Sequence, residues 1–191
     1  QVLKSMAEKD QKPDTITFAG NGEPTIHPEF PEIIEDSLKI RNELAPGCSV
    51  AVLSNAAMIR KERVAEALKK IDQNILKLDS GFDETVKLIN NPPKGFTAEN
   101  LVKNLKAFDG NLIVQIMFVQ GKCHGQKVNN TTRCETDRLL ELLDEIKPKQ
   151  VMVYTIERDT PSPGLRKVKP EVLKQIAAKF EKNDHKVQIS E

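Results

Sequence analysis

The sequence has few of the residues that usually identify a class of protein. It contains no tryptophan, one tyrosine and three cysteines in 191 residues. Cys48, Cys123 and Cys134 form no Cys-x-x-Cys pair, and an odd number of widely spaced cysteines argues against a disulfide framework and suits a reducing compartment. No apolar run approaches the roughly 20 residues that a membrane span requires. We therefore expect a cytoplasmic protein with no membrane partner.

Excess charge of one sign is also missing. The 29 lysines and arginines almost cancel the 28 aspartates and glutamates, which leaves a formal net charge of +1. A balanced chain has no global field that would draw it onto nucleic acid or anionic lipid. This balance favours small-molecule chemistry over nucleic-acid binding.

Short β-branched runs alternate with longer segments of helical period. Six runs have the character of strands: residues 14–20, 49–55, 75–80, 111–121, 149–158 and 186–190. Their residues are apolar at nearly every position, as in strands that are covered on both faces. The alternation predicts an α/β fold in which parallel strands are joined by crossover helices. The length suits a single domain over residues 1–191.

Two stretches between these segments are polar and longer than ordinary connections. They cover residues 121–134 and 158–169, and the second is rich in proline. Long loops in compact domains are often functional. We predict that these two loops set the specificity for a substrate that the sequence does not identify.

Polar residues follow the strand runs at the end where parallel sheets and barrels bind ligands. Local turn chemistry is the alternative explanation, because Asn, Ser and Asp favour turns for reasons of backbone hydrogen bonding. The candidate site residues among them are Asn21, Glu23, Ser54, Asn55, Asp79, Ser80, Gln115 and Thr155.

The segment Gly-Asn-Gly-Glu-Pro at 20–24 is the most specific of these features. Glycines at 20 and 22 permit unusual backbone angles and let a ligand approach the main chain, while Pro24 restricts Glu23 to an extended conformation. Carbonyls and a carboxylate are acceptors, which suit an ammonium group better than a phosphate. Glu23 could instead serve as the general base of a barrel lyase or isomerase.

Five segments in this order, "TFAGNGEPTIHPEF", "AVLSNA", "KLDSGFDETVKLIN", "VQIMFVQG" and "VMVYTIERDTP", resemble the radical S-adenosylmethionine enzymes, in particular their iron-sulfur oxidoreductase branch. The resemblance implies a partial (β/α) TIM-type barrel that binds S-adenosylmethionine and a [4Fe-4S] cluster. It implies reductive cleavage of this cofactor to a 5'-deoxyadenosyl radical, which abstracts hydrogen from the substrate. An electron donor such as flavodoxin or ferredoxin would be a partner.

The same resemblance assigns roles to individual residues. Gly20, Asn21, Gly22 and Glu23 would receive the amino group of the cofactor's methionine portion. Four residues, Ser54, Asn55, Asp79 and Ser80, would face its methionine and ribose portions. Gln115, Tyr154 and Thr155 would lie near the ribose and adenine. No catalytic residue is assigned.

The sequence departs from the family in one respect. The Cys-x3-Cys-x2-Cys loop that holds the cluster is absent, and Cys123 and Cys134 are too far apart to replace it. We expect the cluster ligands upstream of residue 1, with residues 1–10 ending the first helix. The chain would then be a barrel core without its first strand and cluster loop, inactive by itself and without metal ligands of its own. A non-catalytic module that binds a cofactor or RNA is a further alternative, since one branch of the family modifies transfer RNA.

Overall fold

The computed structural model describes residues 1–20, 22–157 and 162–190. The chain divides into two compact units, Gln1–Ile75 and Leu76–Glu191, and the third strand runs through the point of division.

The described residues of the first unit form three helices, three strands and one turn of 3-10 helix. In chain order these are α1 (Val2–Glu8), β1 (Thr15–Phe18), the 3-10 turn (Pro24–Ile26), α2 (Phe30–Leu44), β2 (Ser49–Ser54), α3 (Glu62–Lys69) and β3 (Gln73–Lys77).

The second unit continues the alternation and adds a small antiparallel sheet. Its elements are α4 (Asp83–Asn90), α5 (Ala98–Lys106), β4 (Ile113–Phe118), β5 (Gln120–Cys123), β6 (Gln126–Asn129), α6 (Arg133–Ile146), β7 (Gln150–Thr155), β8 (Leu165–Arg166), α7 (Pro170–Glu181) and β9 (Val187–Ile189).

The main sheet has the strand order β1-β2-β3-β4-β7-β9, and the pairs β1 with β2, β4 with β7 and β7 with β9 are parallel. The predicted α/β class with parallel strands is therefore confirmed. Each of the six predicted runs contributes a strand to this sheet, although the run at 111–121 breaks after Phe118 and continues as β5.

The prediction of an irregular loop over residues 121–134 is wrong. Residues Gln120–Cys123 and Gln126–Asn129 pair as an antiparallel hairpin, and β8 pairs with the other side of β5. The turn consists of His124 and Gly125, both at positive φ, as a two-residue hairpin turn requires. The hairpin is polar because one of its faces is exposed, and this composition concealed its strands.

Coverage of both faces is confirmed for β2 and β3, in each of which three consecutive residues are buried, and is wrong for β1, β4 and β7. Strand β1 exposes Thr15 and Thr17, because it lies at the edge of the sheet order. In β4 and β7, fully buried residues such as Ile116 and Val153 alternate with half-buried ones such as Gln115 and Tyr154. One face of these strands therefore belongs to the core, and the other is open enough to meet a ligand.

The longer helices follow the apolar stripes of the sequence. Helices α2, α6 and α7 bury Ile34, Leu143 and Phe180 completely. Thr132 caps α6 by accepting a hydrogen bond from the backbone of Glu135. Among the described residues, no helix combines the length and apolar character that crossing a membrane requires.

Asn130 ties together two strand ends in the second unit. Its side chain is fully buried and donates to the carbonyl oxygens of Asp79 at 2.9 Å and Met117 at 2.7 Å. Its amide oxygen accepts from the backbone nitrogen of Val119 at 2.8 Å. One side chain thus satisfies three buried backbone groups at the point where β3 and β4 end.

We predict that Asn130→Ala lowers the free energy of unfolding by about 2–4 kcal/mol, because buried backbone groups lose their partners. Urea denaturation measures this loss. The control is Asn100→Ala, at an exposed position on α5, which should change stability by no more than about 0.5 kcal/mol. Equal changes in the two variants would contradict the role of Asn130.

Candidate functional site

In the first unit, the Glu23 carboxylate is fixed by hydrogen bonds on both oxygens. Its Oε1 atom accepts from the backbone nitrogen of Thr25 at 3.0 Å, from the Thr25 hydroxyl at 2.5 Å and from the Ser54 hydroxyl at 2.8 Å. Its Oε2 atom accepts from the backbone nitrogen of Asn55 at 2.6 Å. Glu23, Ser54 and Asn55, which the sequence nominated separately, are therefore in direct contact.

The chain after β2 folds back on itself and presents these donors. The Ser54 hydroxyl accepts from the backbone nitrogen of Ala56, and the Asn55 side chain accepts from that of Ala57 at 2.9 Å. Ala56 adopts a φ of 62°, which makes the turn tight. Ser54 is buried, whereas Asn55 is exposed and Glu23 is half-buried. Both carboxylate oxygens are thus held by protein donors, and part of the Glu23 side chain remains accessible.

Gly20 and Gly22 differ from the expectation in one respect. Neither has a φ in the left-handed region, so unusual backbone angles do not explain them. A Cβ atom added to either would meet no atom within 4 Å. The protein itself therefore does not require glycine at either position. Asn21 lies outside the described residues.

In the second unit, the Asp79 side chain replaces a backbone carbonyl as a hydrogen-bond acceptor at the end of β3. Leu78 donates its backbone N–H to Gln115, in the regular manner of a parallel ladder. Asp79 then leaves the strand, and its Oδ1 atom accepts from the backbone nitrogen of Met117 at 2.8 Å. The carboxylate is therefore a structural acceptor, and its side chain is fully buried.

Lys77 lies beside Asp79 and was not among the residues that the sequence nominated. Its ammonium group lies 3.0 Å from Oδ2 of Asp79 and is hydrogen-bonded to the Tyr154 hydroxyl. Burial, the largest single effect, would lower the pKa of Lys77, but the combined interactions with Asp79 and Tyr154 outweigh it and hold the pKa above its usual value. Lys77 and Asp79 are two residues apart, which in a strand indicates a shared face, and this spacing was the available signal.

Tyr154 remains protonated over the physiological range. Burial raises the pKa of its hydroxyl, and the negative charge of Asp79 acts in the same direction, against the opposite effect of Lys77. Tyr154 is therefore a neutral hydrogen-bond donor on the half-buried side of β7.

Ser80 and Thr155, which were also nominated in this unit, have partners within the protein. Ser80 is fully buried and donates to Glu135 Oε2 at 2.6 Å. The Thr155 hydroxyl donates to the carbonyl of Phe118 at 2.8 Å and accepts from the backbone nitrogen of Val168 at 2.9 Å. Their part in ligand binding stays a prediction.

A metal centre has no ligand set in the described parts of the chain, where no three His, Cys, Asp or Glu side chains come together suitably. Cys48 and Cys123 are buried, and Cys134 is exposed. Cys123 donates to the carbonyl of Leu88 at 2.9 Å. These residues do not fit an iron-sulfur cluster.

Comparisons with solved structures identify the fold. A domain of pyruvate-formate lyase-activating enzyme from Bacteroides vulgatus superimposes with a TM-score of 0.67 at 20% identity, over 92% of this chain and 98% of that domain. A radical SAM methyltransferase from Sphaerobacter thermophilus gives 0.70 at 13% identity, over 98% of this chain and 54% of the other. SuiB of Streptococcus suis bound to S-adenosylmethionine gives 0.68 at 15% identity, over 98% and 41%. The chain has the partial-barrel α/β fold of these radical S-adenosylmethionine enzymes.

Relatives found by sequence have higher identities than these structures, but their names say less about function. A UPF0026 protein of Synechocystis is 32% identical over 165 residues, which are 84% of this chain and 57% of that protein. A UPF0026 protein of Methanocaldococcus jannaschii is 25% identical over 94% of this chain and 54% of its own length. A GTPase Obg of Brachyspira hyodysenteriae is 26% identical over 95% of this chain and 25% of its length. The chain thus spans between a quarter and little more than half of these relatives, and no family model matches it.

The cluster of Lys77, Asp79 and Tyr154 predicts how the only tyrosine of the chain titrates. The midpoint for the appearance of tyrosinate absorbance should lie above the usual tyrosine pKa of about 10, and Lys77→Met should move this midpoint higher still. Because the pKa of Tyr154 is raised in the folded state, its contribution to the free energy of unfolding is complete below the pKa of the unfolded chain. This contribution is lost as the pH rises through the pKa of the folded chain. A spectrophotometric titration of the native chain measures the midpoint.

The matched control is Lys103→Met, an exposed lysine on α5, which should leave the tyrosine midpoint unchanged. Asp79→Asn should lower the midpoint, because the charge of Lys77 would then be unopposed. A midpoint that is indifferent to Lys77 would show that the cluster does not exist in solution.

Proposed function

We propose that this protein is the S-adenosylmethionine-binding core of a radical S-adenosylmethionine enzyme, and that Glu23 binds the ammonium group of the cofactor's methionine portion. The observation that carries the proposal is the Glu23 carboxylate, whose two oxygens are both held by protein donors while part of the side chain remains accessible. The fold shared with enzymes of this class supports it, as does the structure of one neighbour, SuiB, with S-adenosylmethionine bound.

The hydrogen bonds around Glu23 suit a cationic ligand. A carboxylate offers about four acceptor positions on its two oxygens. Oε1 already accepts three hydrogen bonds from Thr25 and Ser54, whereas Oε2 accepts one, from Asn55. Oε2 can therefore take a further donor without losing a protein contact. In the described parts of the chain no basic side chain pairs with this carboxylate, so an ammonium group would be its countercharge.

The residues nominated in the second unit extend the proposal to the rest of the cofactor. Gln115 and the neutral donor Tyr154 suit polar atoms of ribose and adenine, and Asp79, Ser80 and Thr155 remain candidates through the resemblance. All but Gln115 also have the structural partners described above.

When bound, a [4Fe-4S] cluster would supply the electron that cleaves S-adenosylmethionine and gives the 5'-deoxyadenosyl radical. The described residues do not supply its ligands. The contribution of this chain is to bind and orient the cofactor's amino-acid portion. Its residues do not identify the substrate.

The GTPase name of one relative does not suit this site. Phosphate groups are bound by donors, typically backbone N–H groups and a lysine in a Gly-x4-Gly-Lys-Ser/Thr loop. This chain contains no such sequence. At the end of β1 it presents a carboxylate, which repels phosphate.

The first test separates recognition of the amino group from recognition of the nucleoside. Glu23→Gln should weaken the binding of S-adenosylmethionine about 10- to 100-fold, because a charge-assisted hydrogen bond is lost. Methylthioadenosine, which lacks the amino-acid portion, should bind both proteins equally. Calorimetric titration of each ligand into the whole chain measures the two affinities.

The control is Glu43→Gln, an exposed carboxylate near the end of α2, which should alter neither affinity. Equal losses for both ligands in Glu23→Gln would indicate a folding defect rather than loss of ammonium recognition. Unchanged binding of S-adenosylmethionine would refute the role of Glu23.

A second test uses the open space beside Gly22. Gly22→Ala should leave the melting temperature unchanged, because its Cβ would meet no protein atom within 4 Å, yet weaken the binding of S-adenosylmethionine. In contrast, Gly121→Ala should destabilise the chain, because Gly121 has a φ of 124° and its Cβ would lie 2.2 Å from the Gly164 carbonyl oxygen. Thermal melts together with the same titration distinguish a glycine required by a ligand from one required by the fold.

A further inference from the structure

The small antiparallel sheet has one apolar face and one basic face. Register pairs share a face, so Lys122 opposite Lys127 defines one side of the β5–β6 hairpin. Gln120, two residues before Lys122, lies on the same side and pairs with Arg166 of β8. All three cationic residues are exposed. We call Lys122, Lys127 and Arg166 the basic face.

The other face of this sheet holds it to the rest of the second unit. Cys123 and Val128 are buried there, and Leu165 is half-buried. Gly121 and Gly164 bring the backbones of β5 and β8 into close contact, since a Cβ on either would collide with a carbonyl oxygen. The basic face is therefore held on a fixed support rather than on a free loop.

No acidic side chain neutralises the basic face in the described parts of the chain, where none of its three cations forms an ion pair. Lys122 and Lys127 are direct cross-strand partners, about 4.5–5.5 Å apart at Cβ, and like charges in such positions destabilise a sheet. Some lysines elsewhere are paired with carboxylates, as Lys70 is with Glu35 and Lys106 with Glu145. The repulsion is relieved when an anion lies between the two lysines.

We propose that the basic face binds the phosphate backbone of a nucleic acid. The two lysines can share one phosphate, and Arg166, displaced by one strand and two residues, can bind another, since diagonal neighbours in a sheet lie about 7–8 Å apart. Exposed Lys167, next to Arg166 in the chain, extends the positive charge. The face carries no aromatic side chain, so it would contact the backbone of a folded strand or duplex and would not stack on bases.

The proposal is independent of S-adenosylmethionine binding. It differs from the expectation drawn from net charge, because the balance of +1 describes the whole chain and not the distribution of charge on this sheet. Either proposal can fail while the other holds, and Glu23→Gln should leave nucleic-acid binding unchanged.

The test measures the anisotropy of a labelled RNA hairpin and of a DNA duplex with the whole chain over a series of salt concentrations. Two phosphates, one shared by the two lysines and one bound by Arg166, predict a slope of log K against log salt of about −1.8. Changing Lys122, Lys127 and Arg166 to glutamine should remove both contacts and bring the slope close to zero. The control changes three exposed lysines outside the basic face, Lys103, Lys174 and Lys182, to glutamine, which removes the same charge.

Thermal melting shows whether the variants fold. Removing the repulsion between Lys122 and Lys127 should leave the melting temperature equal or higher, so that lost binding in a stable variant supports the proposal. Binding of either nucleic acid that depends on the basic face also supports it. Equal losses in the control variant, full competition by polyglutamate, or binding to phosphatidylserine vesicles without binding to nucleic acid would overturn it.

Discussion

The site depends on how the chain satisfies backbone N–H groups where parallel strands end. A strand that leaves a parallel sheet removes an acceptor from its neighbour, and a buried N–H without an acceptor is costly. Here polar side chains at the strand ends replace the missing carbonyls. The replacements run from the backbone nitrogens of Asn55 and Met117 to the carboxylates of Glu23 and Asp79, respectively. Polarity at these ends is thus first a requirement of the fold, and ligand binding uses what that requirement leaves accessible.

This constraint explains why the sequence identified strand ends well and their roles less well. Strand ends are polar in either case, so a pattern cannot separate a residue that binds a ligand from one that replaces a carbonyl. Ser80 and Glu23 have similar sequence contexts, yet Ser80 is fully buried while Glu23 keeps an accessible side. Lys77 was overlooked for the opposite reason, because one lysine in an apolar run resembles a surface position until its contact with Tyr154 is known.

The fold itself was largely predictable, because the strands and the longer helices carry strong periodic signals. The apolar stripes of α2, α6 and α7 lie where the pattern places them. The β5–β6 hairpin escaped because only Cys123 and Val128 of its residues are buried, which is too few for a strand pattern. The burial of both sheet faces was overestimated, since apolar composition does not tell a covered face from one that is open to a ligand.

Net charge leaves the charge of a local surface open, for a related physical reason. Electrostatic attraction at a surface depends on charges within about a Debye length, roughly 10 Å at 0.1 M salt, and not on the sum over the chain. Helices such as α6 and α7 pair their charges locally, as Lys179 does with Asp137, and so contribute little field at a distance. The β5–β6 hairpin sets Lys122 against Lys127 without a carboxylate in the sheet register. A balanced sequence can therefore hold a strongly positive face, and only the strand register reveals it.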